Sequence, residues 1–329
     1  MRQFGYRRAS SVDKTITHLQ QTMNGDVQPL AGGTDLLTLM KGNLIAPTEL
    51  LDLKRLNDMP TGIEATGKGF SIGALTTLRE IETSATIGER LPLLSEAAGL
   101  AATPQLRNMA TVGGNLLQRP RCWYYRNELI NCWLKGGDTC PAYDGQNEFH
   151  ALFGGGPCYA VHPSDLAAAL LALEAEATLR GSTEPRTLPL TDFFMLPTAD
   201  HRRETVIADD ELLLRIDVPA LPDNTHSTYL KAMDRKVWAF ALVGVAAVVR
   251  MAQGKIADVR LALSGVAPIP WRATAAEAIL QGQVPHAQLF AQAATKALEG
   301  AELLAHNAYK VPLAQNLIQQ ALTTLTADN

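Results

Sequence analysis

The four cysteines of this 329-residue chain are the residues whose type and spacing point most directly to chemistry. Cys122, Cys132, Cys140 and Cys158 fall in one stretch, and no cysteine occurs elsewhere. Thiolates bind zinc and iron–sulfur clusters, so the bunching predicts a single metal-type site. The stretch has no Cys-x-x-Cys pair, and spacing alone leaves zinc and a [4Fe–4S] cluster open. Disulfides are a third alternative, although four cysteines are few for a disulfide scaffold in so long a chain.

Glycine-rich segments precede the cysteine stretch. Residues 31–35, Ala-Gly-Gly-Thr-Asp, follow a predicted strand and open a predicted helix, and residues 111–115, Thr-Val-Gly-Gly-Asn, repeat the theme. Glycines let the backbone approach a ligand closely, and N–H groups at the start of a helix attract phosphate. Each segment alone could be a simple turn. Two of them favour a pyrophosphate site, because a pyrophosphate needs donors from more than one side.

A third segment, Pro163-Ser164-Asp165, follows the last cysteine. Asp165 could accept a hydrogen bond from a ribose hydroxyl, or it could cap a helix, a role that Ser164 could share. His162 borders this segment. The seven histidines show no metal-ligand spacing, and we expect surface or core positions for them.

The cysteine stretch itself is rich in glycine, proline, asparagine and aspartate, which predicts a long functional loop. Aromatic residues also concentrate there. They could shield a cluster from water, or they could form a local hydrophobic core for the loop. These residues are Trp123, Tyr124, Tyr125, Trp133 and Tyr159.

The surrounding pattern predicts an α+β fold. Ser11 caps a predicted helix that carries Ile16, Leu19 and Met23, and short strands and helices alternate from there to the cysteine stretch. After Pro219 the pattern changes to three antiparallel strands followed by three helices, which is typical of a segregated α+β domain. We therefore expect a domain boundary near residues 219–226.

Composition excludes several classes of protein. The formal net charge of −4 and the absence of a dense Lys/Arg run argue against nucleic-acid binding. The longest apolar run, residues 239–249, is too short to cross a bilayer and predicts a buried strand. The N-terminus is basic but is not followed by an apolar segment, which predicts no secretory signal and a cytoplasmic location. Export to the periplasm together with a signal-bearing partner is the alternative.

Three segments together resemble the FAD-binding medium subunit of the xanthine dehydrogenase family of molybdenum hydroxylases. They are residues 30–37, 107–116 and 163–165, and the similarity runs over nearly the whole chain. The resemblance implies a two-part FAD-binding domain of the vanillyl-alcohol-oxidase (PCMH) type over residues 1–222. A small C-terminal domain of the carbon monoxide dehydrogenase flavoprotein type would follow over residues 223–329.

Most members of the family run directly from the Gly-Gly-Asn segment to the Pro-Ser-Asp segment. This chain carries the cysteine loop between them, at about residues 119–160. The insertion resembles that of the bacterial aldehyde oxidoreductases and of 4-hydroxybenzoyl-CoA reductase, where it holds an extra [4Fe–4S] cluster. The resemblance favours iron–sulfur over zinc, with all four cysteines as ligands.

The resemblance also implies an FAD site. The first glycine turn would wrap the pyrophosphate and the second would complete the cradle. Asp165 would bind a sugar hydroxyl of the cofactor, Leu213 would make a backbone contact, and Lys231 would lie close to the isoalloxazine, where a cation stabilises reduced anionic flavin. The full set is Pro29, Leu30, Ala31, Gly32, Gly33, Thr34, Asp35, Leu36, Leu37, Ala101, Thr111, Val112, Gly113, Gly114, Asn115, Asp165, Leu213 and Lys231.

The implied function is electron transfer within a heterotrimeric molybdenum-containing aldehyde oxidoreductase. Electrons would pass from a large molybdenum-cofactor subunit, through [2Fe–2S] centres of a small subunit, to FAD on this chain, and then to an external acceptor such as a ferredoxin. One alternative is a subunit of a reductive enzyme like 4-hydroxybenzoyl-CoA reductase. Others are a stand-alone flavoprotein oxidoreductase with structural zinc, and a non-catalytic binding module.

Overall fold

The computed structural model describes residues 1–22 and 25–327, which form three β-sheets and the helices packed against them. The predicted mixture of strands and helices is confirmed. The predicted first helix included Met23, which lies outside the described residues. No helix in the described part of the chain is both long enough and apolar enough to span a membrane.

The first sheet is parallel and carries the first glycine turn at its edge. Its order is β1–β3–β2, formed by β1 (Gly5–Arg8), β2 (Val27–Leu30) and β3 (Glu49–Asp52). Helix α1 (Val12–Gln21) connects β1 to β2, and α2 (Leu36–Lys41) follows the glycine turn. The sequence predicted every one of these elements except β1, whose four residues are all exposed and show no apolar alternation.

The second sheet is antiparallel and joins distant parts of the chain. Its order is β4–β5–β8–β6–β7, and its strands are β4 (Ile63–Thr66), β5 (Gly69–Gly73), β6 (Glu176–Arg180), β7 (Arg186–Pro189) and β8 (Leu212–Pro219). Ala74 N–H donates to Leu214 O at 2.8 Å just beyond the β5–β8 pairing. This pairing brings residues near Ala74 and Leu213 to one end of the sheet.

Helices pack over these two sheets. The buried α9 (Asp165–Ala172) is rich in alanine and leucine, begins at the N-cap Ser164, and lies against α5 in the main core. The helices before and after it are α3 (Leu78–Thr83), α4 (Ala85–Arg90), α5 (Pro92–Leu100), α6 (Pro104–Arg107), α7 (Val112–Leu116), α8 (Trp123–Arg126) and α10 (Leu190–Phe193). Within the cysteine stretch, only α8 and one 3-10 turn, Trp133–Lys135, are regular.

The third sheet corrects the prediction of three strands. It is antiparallel in the order β12–β11–β10–β9, with β9 (Thr225–Ala232), β10 (Val243–Ala252), β11 (Lys255–Ser264) and β12 (Trp271–Arg272). The fourth strand has only two residues and follows Pro268 and Pro270, so the sequence offers no alternation from which to predict it. Three helices cover this sheet: α11 (Thr274–Leu280), α12 (Ala287–Ala297) and α13 (Lys310–Thr326).

The cysteine stretch is anchored to this C-terminal sheet. Leu152 and Phe153 belong to the same hydrophobic core as β10, β11 and α13. The fully buried Lys310 donates from Nζ to His150 O at 3.0 Å and to Gly265 O at 2.7 Å. The C-terminal part of the stretch is therefore packed against the C-terminal sheet and its helices.

Candidate functional site

A cavity of about 670 Å³ opens between the first sheet, the second sheet and the start of the cysteine stretch. This volume lies within the range of small-molecule and cofactor sites. Both predicted glycine turns line it. The predicted residues on its wall are Pro29, Ala31, Gly32, Gly33, Thr34, Asp35, Leu36, Thr111, Gly113, Gly114 and Leu213.

The two glycines of the first turn are needed for different physical reasons. A Cβ at Gly32 would lie 1.8 Å from Met109 O, so only glycine allows the first turn to pack against the backbone just before the second. Gly33 has φ +72°, a left-handed conformation that L side chains rarely adopt. The two turns are thus held face to face by backbone contact.

The turns differ in what they offer a ligand. Among residues 1–22 and 25–327, the N–H groups of Gly32, Gly33 and Thr34 have no hydrogen-bond partner. In the second turn, by contrast, Gly113 N–H donates to Ala74 O at 2.9 Å, and Gly114 N–H donates to Thr111 Oγ1 at 3.2 Å. The first turn therefore offers free backbone donors to a ligand. The glycines of the second turn would instead let the backbone come close to a ligand.

Several predicted residues do not line this cavity. Ala101 O accepts from Arg107 Nη1 at 2.8 Å, and the Asn115 side chain accepts from Ser164 Oγ, so both support neighbouring segments. The predicted residues away from the cavity wall are Leu30, Leu37, Ala101, Val112, Asn115, Asp165 and Lys231.

Asp165 and Lys231 form a buried ion pair instead. Lys231 Nζ lies 2.7 Å from Asp165 Oδ2 and also donates to Leu100 O and Ala239 O at 3.0 and 2.9 Å. Tyr229 donates its hydroxyl to Asp165 Oδ1 at 2.6 Å. The helix N-cap is Ser164, whose Oγ accepts from Ala167 N–H at 3.0 Å, and Asp165 is the first helical residue.

Sequence reasoning missed one wall of the cavity. It is formed by residues 203–205, 207–209 and 211–212, together with Gln118 and Arg119 from the start of the cysteine stretch. Arg119 Nε lies 2.9 Å from Glu204 Oε2, and burial raises the pKa of Glu204. No local motif marks this wall, because the loop mixes polar and apolar residues without a periodic pattern.

The four cysteines come together, and all are free thiols. Cys132 and Cys158 share a hydrophobic cluster with Tyr125 and Trp133, and Cys122 packs against it. Tyr125 and Trp133 therefore support the interpretation of the aromatic residues as a local core. The disulfide alternative is not borne out.

Each cysteine sulfur faces backbone N–H groups two or three residues later in the chain. These groups lower the thiol pKa and so favour the thiolate. They belong to Tyr124 and Tyr125 for Cys122, Leu134 and Lys135 for Cys132, Ala142 and Tyr143 for Cys140, and Ala160 for Cys158. Cys140 also faces the N–H group of Tyr159, which is distant in sequence. Cys122 and Cys132, which precede short helical turns, make no full capping hydrogen bond. The same local arrangement thus recurs at all four positions.

The thiols also influence one another. The Cys158 thiol donates to Cys140 and lowers the pKa of Cys140 to about 6, while this contact and burial raise the pKa of Cys158. Burial raises the pKa of Cys122 to about 11 and raises that of Cys132. One thiol with a lowered pKa beside three thiols whose pKa values are raised is the pattern expected when ionisable groups are crowded together.

No three or more His, Cys, Asp or Glu side chains in the described ranges are grouped so as to hold a metal ion. His150 lies beside the thiols, with its Nε2 3.2 Å from Cys122 Sγ. Burial, with Lys310 contributing, lowers the pKa of His150 to about 4, so the imidazole is neutral near pH 7. A smaller cavity of about 180 Å³ adjoins Cys122, His150, His162 and Asp165.

Comparison with known proteins assigns both parts of the chain. Residues 2–221 match the family described as the FAD binding domain in molybdopterin dehydrogenase. Residues 228–325 match the family described as the CO dehydrogenase flavoprotein C-terminal domain.

Full-length relatives agree. The aldehyde oxidoreductase FAD-binding subunit PaoB of Escherichia coli K12 is 34% identical, and the alignment covers 99% of each chain. The carbon monoxide dehydrogenase medium chain of Hydrogenophaga pseudoflava is 30% identical over 98% of this chain and 97% of that one. A solved structure of carbon monoxide dehydrogenase from H. pseudoflava matches with a TM-score of 0.78 at 29% identity, covering 99% of this chain and 98% of that chain. The chain therefore belongs to the FAD-binding medium subunits of the xanthine dehydrogenase and carbon monoxide dehydrogenase family, and it is an oxidoreductase subunit.

Proposed function

We propose that this chain is the FAD- and [4Fe–4S]-carrying electron-transfer subunit of a molybdenum-containing aldehyde oxidoreductase. When bound, the flavin would supply a two-electron store that can exchange electrons singly with iron–sulfur centres. The chain itself would bind, orient and shield the cofactors. Its partners would be a large molybdenum-cofactor subunit, where the substrate reacts, and a small [2Fe–2S] subunit.

One observation carries the FAD part of the proposal. The cavity of about 670 Å³ places three unpartnered N–H groups, those of Gly32, Gly33 and Thr34, on a wall that the second glycine turn completes. Backbone donors without protein partners are what a diphosphate requires. The test is FAD content after release from the purified chain. A colourless protein that does not take up added FAD would favour the alternative of a non-catalytic binding module.

The choice of a cluster over zinc rests on the resemblance of the cysteine loop to the insertion that holds a [4Fe–4S] cluster in related subunits. A tetrahedral zinc ion with Zn–S bonds of about 2.3 Å would need its four sulfurs within about 4 Å of one another. Among the described residues no group of three or more His, Cys, Asp or Glu side chains could hold a metal ion as the side chains stand, and this favours neither zinc nor a cluster. A [4Fe–4S] cluster is larger and takes its thiolates further apart. The N–H groups that face each sulfur are also the donors that stabilise thiolates bound to iron.

Metal analysis separates the two alternatives. Anaerobically purified chain is expected to hold about four iron atoms, and the quadruple variant in which Cys122, Cys132, Cys140 and Cys158 become serine should hold none. One zinc per chain and no iron would support a structural zinc site instead. Retained FAD in the iron-free variant would show that the first domain still folds.

We further propose that the cluster relays electrons between FAD and a one-electron protein acceptor such as a ferredoxin. The supporting observation is that the cysteine stretch begins on the cavity wall, at Gln118 and Arg119. In the assembled complex, Cys122→Ser/Cys132→Ser should abolish ferredoxin-linked turnover while a small-molecule acceptor of flavin electrons still works. Full ferredoxin-linked turnover without the cluster would leave the cluster a structural role only.

The strongest competing function is a reductive enzyme like 4-hydroxybenzoyl-CoA reductase. The chain's 34% identity to an aldehyde oxidoreductase subunit favours the oxidative direction. The purified complex should therefore reduce an artificial acceptor when it is given an aldehyde. A complex that is inactive with aldehydes but consumes a low-potential donor with an aromatic CoA thioester would reverse this assignment.

A further inference from the structure

One carboxylate joins the first glycine turn to the segment around Cys122. Asp35 Oδ1 lies 2.9 Å from Arg121 Nη2 and 2.8 Å from Arg126 Nη2, and Asp35 Oδ2 accepts from Arg119 N–H at 2.9 Å. The Asp35 side chain is only 13% exposed. All three donors come from the eight residues that contain Cys122.

Arg126 extends this junction. Its guanidinium donates to Pro120 O at 2.7 Å and to Arg119 O at 2.9 Å, and it reaches Thr38 Oγ1 in α2 at 3.2 Å. The backbone before Cys122 is therefore folded around one guanidinium, which is itself bound to the glycine turn. Movement of either segment would break several charge-assisted hydrogen bonds.

The charges explain why the junction matters to a diphosphate. Asp35 lines the cavity, and an unpaired carboxylate there would repel a phosphate. Two arginines against one carboxylate leave one net positive charge at this junction. The segment that carries Cys122 thus contributes to the electrostatics of the cavity. In sequence it is far from the first glycine turn, since Asp35 and Arg119 are separated by 84 residues.

We infer that Asp35 is a positioning residue that couples the two cofactor sites, so that filling either site tightens binding at the other. The inference rests on the proposed function, since it takes FAD and the cluster as the ligands. Asp35 would hold the Cys122 segment in place when the glycine turn is ordered by FAD. By linkage, the ordered Cys122 segment would hold the glycine turn in its FAD-binding conformation.

The first test needs no cluster. Hydrogen exchange of iron-free full-length chain is measured with and without FAD over residues 119–126. In wild type, FAD should slow exchange there, whereas in Asp35→Asn the slowing should be lost while FAD still protects residues 111–115. Equal protection of residues 119–126 in both proteins would overturn the inference.

The second test measures the coupling directly. The dissociation constant of FAD is determined for cluster-loaded and cluster-free chain, in wild type and in Arg126→Gln. Coupling free energies between sites commonly correspond to roughly 5- to 150-fold changes in affinity, so cluster loading should tighten FAD binding of wild type by at least about fivefold. In Arg126→Gln the two constants should agree within about twofold.

Control measurements distinguish a failure of the cluster proposal from a failure of the coupling inference. Arg79→Gln, which removes an exposed arginine paired with Glu82, should keep the wild-type ratio. Iron content is measured before the titration. If no iron binds, the cluster proposal fails, and the coupling of two cofactor sites fails with it. Hydrogen exchange then decides only whether Asp35 links the glycine turn to the Cys122 segment. If four iron atoms bind and the wild-type ratio is near one, only the coupling is wrong.

Discussion

Lys231 Nζ lies 2.7 Å from Asp165 Oδ2, and the two side chains are only 1% and 4% exposed. The pair links α9, in the first 222 residues, to β9 in the C-terminal sheet. Tyr229 from the same strand donates to the other carboxylate oxygen at 2.6 Å. One buried charge pair thus connects both parts of the chain beside the smaller cavity.

Removal of the lysine charge should be strongly destabilising. Among the residues that the structure describes, Lys231→Met leaves Tyr229 as the one side chain bound to the buried Asp165 carboxylate, and breaking such a pair typically costs about 3–5 kcal/mol. Urea denaturation of the flavin-free chain measures the loss in free energy of unfolding. Lys231→Met/Asp165→Leu should recover part of it. A loss no greater than that of the exposed Lys255→Met would contradict the buried-pair account.

The first glycine turn should tolerate no side chain at Gly32. A Cβ there would lie 1.8 Å from Met109 O, so Gly32→Ala must push the two turns apart and should lose both stability and FAD. At Gly114 an added Cβ meets only Thr111 Oγ1, at 3.0 Å. Gly114→Ala should therefore keep the wild-type melting temperature within a few degrees.

FAD titration of both variants then separates packing from ligand contact. If the second turn acts by close approach to the cofactor, Gly114→Ala should weaken FAD binding even though it folds. Wild-type FAD affinity in Gly114→Ala would show that this turn only supports the first. Wild-type stability in Gly32→Ala would show that the two turns can separate freely.

Much of the cavity could be predicted from the sequence because its key residues lie in short local motifs. Gly32, Gly33 and Thr34 follow directly from a strand and a helix start that the pattern reveals. The wall at residues 203–205 and 207–209 could not be predicted, because it depends on where the second sheet places a loop without periodicity. The same holds for the Asp35 junction, since its arginines are distant in sequence.

The Asp165–Lys231 ion pair shows a different limit of prediction from sequence. Motif matching predicted Asp165 and Lys231 separately, each as a contact to the cofactor, and that role stays a prediction. Their mutual contact depends on docking of β9 against α5 and of β10 and β11 against α9, which no local pattern encodes. Likewise, β12 was missed because a two-residue strand exists only through its partner β11.

His162 should make the fold sensitive to acid. Burial lowers its pKa to about 4 from 6.5, and its Nδ1 accepts from Ser164 N–H at 3.3 Å. Between pH 6.5 and pH 4, His162 binds a proton more readily in the unfolded chain than in the folded chain. The free energy of unfolding therefore falls as pH falls through this window.

The expected size is about 2–3 kcal/mol, since one unit of pKa shift corresponds to about 1.4 kcal/mol. The free energy of unfolding is measured from pH 7 to pH 4.5 for wild type and His162→Asn, with the exposed His306→Asn as control. The difference between wild type and His162→Asn should shrink as pH falls. A constant difference would mean that His162 does not stay neutral.

Lys310 should make the stability depend on pH in the alkaline range. Burial lowers its pKa to about 7 from 10.5, and its Nζ donates to His150 O and Gly265 O without a carboxylate partner among the residues that the structure describes. Above pH 7 the folded chain releases the lysine proton while the unfolded chain keeps it. The unfolded state then binds more protons, so stability rises with pH up to about 10.

Comparison with Lys310→Met isolates this contribution. The free energy of unfolding of wild type, relative to the variant, should increase by about 2–3 kcal/mol between pH 7 and pH 9. Exposed Lys255→Met should show no such trend. Parallel curves for wild type and Lys310→Met would mean that the buried ammonium keeps its proton throughout. In that case Lys310 would hold a permanent positive charge against the carbonyl of His150. The imidazole of His150 contacts Cys122 Sγ, so this charge would lie close to the cysteine site.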